Sequence, residues 1–163
     1  MTRRLLAAFA AFALPASAAL AGDGFEGSWT IAAAEAAPWA AETGPSPFDA
    51  ALLGRTVAIA ADGVRGPELF GCGGAPARQG LGGAESLFDG ALDDPGRQAL
   101  ALGVAPGSIV PALATGCAAE IVLYRIGPDR AVFAFAGRIY TLARAAAEDP
   151  VVAAAGETGA PLN

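Results

Sequence analysis

Cys72 and Cys117 are the two thiols of this chain and stand 45 residues apart. A redox couple would want the C-x-x-C spacing, which is absent. A structural disulfide tolerates any spacing and suits an oxidising compartment. Closing a loop of this size is worth about 4 kcal/mol in the loop-entropy model, so a Cys72–Cys117 staple is the expectation. The other groups fit for proton transfer are carboxylates. Glu120 lies in an otherwise apolar stretch, where burial would raise its pKa, with Asp129 or Glu68 as partners. On an exposed face the same residue is only the polar side of a strand. Asp93 and Asp94 are neighbours and rarely would two such carboxylates converge on one atom, so Asp94 reads as a helix cap.

The chain has no histidine and no lysine. That removes the usual general base, the Ser-His-Asp and Cys-His relays, the commonest zinc ligand, Schiff-base chemistry and Ser-Lys dyads. The expectation is a non-enzymatic protein with no cofactor and no metal.

The first 21 residues carry an address. Arg3 and Arg4 precede an apolar run over 5–14, then Pro15 and the small-residue string Ala16-Ser17-Ala18-Ala19-Leu20-Ala21. This is the pattern of a Sec signal peptide cleaved after Ala21. The run is about half of the ~20 residues that span a bilayer, so no membrane span is expected in the mature chain and the location is periplasmic or secreted. Without residues 1–21, eight arginines face 16 acids, a formal charge of −8. Such a surface has no footprint for nucleic acid.

The remaining 142 residues suit one β-rich domain over 22–144, with residues beyond 144 reading as a mobile C-terminal tail rich in Ala, Gly and Glu. Strands are expected from Gly27 towards Ala34, over 55–60 and 64–70 around an Asp62-Gly63 turn, and over 108–113. They continue over 118–126, 131–135 and 138–142, the last two joined by Ala136-Gly137. Alternation puts Ile121 and Leu123 on one face and Glu120, Val122 and Tyr124 on the other. The glycine-rich stretch 71–83 lacks the spacing and the lysine of a phosphate loop and reads as surface loop. A helical insertion about 85–103 holds two short helices, the second capped by Asp94-Pro95 and ended by Gly103. The fold class is mainly β: a small antiparallel β-barrel or curled sheet with a short helical insertion.

Gly27-Ser28-Trp29 on the first strand and Arg144 just past Ile139-Tyr140-Thr141-Leu142-Ala143 form a pattern that resembles the calycins: lipocalins, avidins and small periplasmic inhibitors of bacterial metalloproteases. The resemblance touches only the two ends of the chain. It implies that Trp29 plugs one end of the barrel and that Arg144 packs across it. The insertion and the cysteine spacing depart from the pattern, and residues 22–26, which such inhibitors use against a protease, carry no diagnostic signal.

Two binding roles follow as expectations. One is a periplasmic module for a small apolar or amphipathic ligand, lined by some of Trp39, Phe70, Tyr124, Phe133, Phe135 and Tyr140. The other is an inhibitor or accessory that binds an envelope protein.

Overall fold

The computed structural model describes residues 24–71, 76–88, 92–117 and 119–145. The expected signal peptide and, apart from Ala145, the expected C-terminal tail lie outside these residues. Eight strands make one antiparallel sheet: β1 (Gly27–Ala36), β2 (Thr56–Ala60), β3 (Gly63–Arg65), β4 (Arg78–Gly83), β5 (Ile109–Ala114), β6 (Val122–Arg125), β7 (Arg130–Phe135) and β8 (Arg138–Arg144). Their order is β3-β2-β1-β8-β7-β6-β5-β4, so β3 and β4 are open edges. The fold is mainly β, a curled half-barrel with a short helical insertion, and not a closed barrel.

The curl follows from where the apolar residues fall. Val57 and Ile59, Trp29 and Ile31, Tyr140 and Leu142, Ala131 and Phe133, and Leu123 and Leu113 pack into one buried cluster that also takes Val64 of β3. Val64 and Leu113 stand on the first and seventh strands in the order, and they share a core only if the sheet wraps around it. Phe133 stacks on Tyr140 with ring centroids 5.0 Å apart and meets Phe70 edge-on at 5.4 Å. A bulge between Ile31 and Ala33 lets β1 keep pace with β8. It shifts the inward positions from Trp29 and Ile31 to Ala34 and Ala36, opposite Tyr140 and Arg138.

The opposite face of the sheet is covered by the insertion. Ala84–Phe88 form a 3₁₀ turn, and α2 (Pro95–Ala101) follows. Leu87, Phe88, Ala99 and Val104 pack with Val110, Val132 and Ile139. Asp94 caps α2, its side chain accepting from the Arg97 amide at 3.0 Å with Pro95 in the first turn, and Gly103 adopts φ +82 beyond its end.

Several boundaries need correction. The helix expected over 85–92 is the shorter 3₁₀ turn, and residues 89–91 lie outside the described ones. Part of the expected loop over 71–83 is β4, paired along its length with β5. Glycine hid it: a Cβ on Gly82 would stand 3.0 Å from the Tyr124 ring, so the strand has to be bare where the tyrosine crosses it. The return strand after Asp62 ends at Arg65, because Gly66-Pro67 leads into a 3₁₀ turn over Glu68–Phe70. The hairpin pairs Ala60 with Gly63, so its two loop residues are Ala61 and Asp62. The strand expected over 118–126 begins only at Val122.

Candidate functional site

The register sorts the connections onto two ends of the curled sheet. Trp29 lies opposite Arg144, and the β2–β3 and β6–β7 turns fall at that same end. The β7–β8 hairpin, the β5–β6 connection and the segment from β1 to β2 gather at the other.

The first end is sealed. The Arg144 guanidinium carbon stands 4.4 Å from the Trp29 ring centroid. Arg144 Nη1 donates to the Glu26 carbonyl at 2.7 Å and Nη2 to that of Gly24 at 3.0 Å, where Arg125 Nη1 also donates at 3.0 Å. Trp29 Nε1 donates to the Phe25 carbonyl at 2.7 Å. Phe25 is 1 % exposed and packs 6.4 Å from Trp29, ring to ring. Gly27 has φ +119, and a Cβ there would stand 3.1 Å from Arg144 Nη1, so this glycine serves both the backbone angle and the arginine's approach. Residues 24–26 are thereby tied into their own fold.

The second end carries a groove of 960 Å³. Phe48, Ala51 and Leu52 line it from α1 (Asp49–Leu52) and its flank, Arg55 and Thr56 from the start of β2. Pro67, Glu68 and Leu69 join them from after β3, with Phe135 at the end of β7 and Cys117 and Ala119 from the β5–β6 connection. Phe48, 44 % exposed, meets Phe135 edge-on at 5.0 Å. The walls are mainly apolar, and Arg55 and Glu68 are their two charged members.

Behind α1 lies a polar cluster that sequence reading did not single out. Asp49 accepts from the Tyr140 hydroxyl at 2.9 Å and the Ser46 amide at 3.0 Å, and pairs with Arg138 Nη2 at 3.0 Å. The Asp49 and Arg138 side chains are each 11 % exposed. Arg138 also donates to the carbonyls of Ala34 and Gly44. Burial pushes the Asp49 carboxyl up, but the Ser46 amide, Tyr140 and Arg138 outweigh it and hold the pKa below the ordinary value. Burial, then the bond to Asp49, pushes the Tyr140 phenol up to about 12. Arg138 shares one face of β8 with Tyr140 and Leu142 by alternation, but nothing in the sequence near residue 49 marks its partner.

The expected site residues divide. Trp29 and Arg144 meet as described. Among the six aromatics, Phe70, Phe133 and Tyr140 are fully buried and fill the core. Trp39 and Tyr124 pack on the opposite face, Trp39 against Phe88 at 5.8 Å. Of the six, Phe135 reaches the groove. Glu120 and Asp129 are not brought together: Glu120 is exposed in a turn at φ 50 before β6, and Asp129 follows β6 at the other end, pairing with Arg144 at 3.6 Å, while Glu68 lines the groove. Among the described residues no group of Cys, Asp and Glu could hold a metal ion, and no helix is long and apolar enough to cross a membrane.

The expected Cys72–Cys117 staple falls partly outside the described residues, which leave out Cys72, and no disulfide or Sγ–Sγ contact is found among them. Cys117, 5 % exposed, is not a free thiol; its amide donates to Thr115 Oγ1 at 3.4 Å, and the Thr115 hydroxyl holds the Ile121 carbonyl at 3.0 Å. The turn between β5 and β6 is thus described through Thr115.

The chain matches no protein-family model, no curated protein and no solved structure. What stands is the fold class: a small curled antiparallel sheet consistent with a generic calycin-like fold, with no specific family shown.

Proposed function

We propose that this chain is an exported binding module that holds a small apolar or amphipathic ligand in the groove between α1, the turn over Glu68–Phe70 and Phe135. The observation that carries the reading is the asymmetry of the two ends. One is sealed by Trp29, Arg144 and Phe25, and the other presents 960 Å³ of mainly apolar groove, in the range of small-molecule sites. The role is binding without chemistry on the ligand, in keeping with a sequence that lacks histidine and lysine. Export to the periplasm or beyond rests on the charged, apolar and small-residue pattern of residues 1–21. Against the alternative of an envelope-protein inhibitor, Gly24, Phe25 and Glu26 are held by Arg125, Arg144 and the core, which does not suit a loose arm for a protease cleft.

Native mass spectrometry of protein purified gently from its own host tests the reading. A small adduct that leaves on denaturation is the expected result. A second polypeptide in fixed ratio, with no small adduct, would overturn it in favour of the inhibitor.

A further inference from the structure

The groove holds two charges that nothing else in the described residues neutralises. Of the arginines after residue 21, Arg65, Arg97, Arg138 and Arg144 each face an aspartate, and Arg125 is committed to the Gly24 carbonyl. Arg55, Arg78 and Arg130 form no ion pair among the described residues, and of these three Arg55 lines the groove. Arg55 and Glu68 line one groove yet form no ion pair, with each other or elsewhere among the described residues. Their backbones are fixed while their side chains are exposed. The Arg55 amide donates to Leu52 and its carbonyl accepts from Ile31, and the Glu68 carbonyl accepts from Gly71. A cation and an anion therefore line one groove, from the start of β2 and from the turn after β3, beside Phe48, Leu69 and Phe135.

We propose that the groove selects a zwitterionic head group: a single-chain amphiphile whose negative charge meets Arg55 and whose positive charge meets Glu68. The inference rests on the groove being the ligand site. Charge complementarity chooses among the three kinds of head. A purely anionic head would gain Arg55 but face Glu68 and the field of a chain with formal charge −8 after residue 21. A purely cationic head would gain Glu68 and face Arg55. A neutral dipolar head satisfies both charges without working against the net field. Both sites are solvent-exposed, so each pairing yields roughly two- to fivefold in affinity.

The test holds the chain constant and varies the head. Dodecylphosphocholine, laurate and dodecyltrimethylammonium are titrated calorimetrically below their micelle concentrations. Against the unaltered protein, dodecylphosphocholine binds roughly three- to tenfold tighter than either ion. Arg55→Gln moves the preference to the ammonium, and Glu68→Gln moves it to laurate. Equal binding of all three, or a rank order that neither substitution changes, overturns the head-group inference while leaving the apolar groove in place. Failure of all three to bind overturns the groove itself as the ligand site.

Discussion

Arg144 stands 4.4 Å from the Trp29 ring centroid and uses the same guanidinium to hold the carbonyls of Gly24 and Glu26. The arginine thus joins three segments: the last strand, the first strand and the residues that precede it. Truncating it removes a cation–π contact and two charge-assisted bonds at once. Arg144→Ala is expected to cost about 2–4 kcal/mol in urea unfolding. Gly27→Ala is expected to cost about 1–2 kcal/mol, because it combines φ +119 with a Cβ 3.1 Å from Arg144 Nη1. Losses below about 0.5 kcal/mol for both would show that this end is not sealed by the pair.

The Asp49 cluster gives an ordered series. Asp49→Ala leaves the Tyr140 hydroxyl without its Asp49 acceptor and the buried Arg138 charge without its counter-ion, and should cost about 3–5 kcal/mol. Tyr140→Phe leaves Asp49 with Arg138 and Ser46, so it should cost only about 1–2 kcal/mol. The reverse order would contradict the arrangement.

The same cluster sets two limits of pH. Asp49 has its pKa depressed in the folded state, so its contribution is present above the unfolded carboxylate value and fades as pH falls below about 4. Tyr140 has its pKa raised to about 12; its contribution is intact below the unfolded phenol value and is lost as pH climbs from about 10 to about 12. Denaturation midpoints followed across pH should show an alkaline loss that Tyr140→Phe reduces. An unchanged alkaline limb in that variant would place the titrating group elsewhere.

Ala136 opens the β7–β8 turn at φ 48, with Gly137 following at φ 72. Such a turn favours Asn or Gly at its first position, and alanine bears a strain of about 1 kcal/mol there. Ala136→Asn is expected to raise stability by about 0.5–1 kcal/mol. A destabilised variant would show that the side chain matters for more than the turn.

The sequence made legible what alternation and turn chemistry write directly. Leu123, Phe133, Tyr140 and Leu142 alternate inward as their spacing implies, and Ala136-Gly137 marks its hairpin. Asp94-Pro95 marks the start of α2. Alanine and glycine conceal the rest. The β1 bulge sits within Ile31-Ala32-Ala33, where no change of side-chain type records the shift of face. Arg78–Gly83 reads as loop because three glycines occupy a strand, one of them beneath Tyr124. The sealed end was legible through the resemblance of Gly27-Ser28-Trp29 and Arg144 to the calycin pattern, Trp29 being one of two tryptophans in the chain. The groove was not, since its walls come from α1, the turn after β3 and the tip of β7, and only the fold brings those together.

The most direct test of the account locates a bound amphiphile on the protein. Amide shifts in ¹H–¹⁵N spectra are followed while dodecylphosphocholine is added below its micelle concentration. The account predicts that Ala51, Thr56, Leu69 and Phe135 move together and saturate, while Trp29, Arg125 and Arg144 stay still. Saturating shifts centred on Trp29 and Arg144, or on the exposed Leu81 and Ile109, with none around the groove, would contradict it.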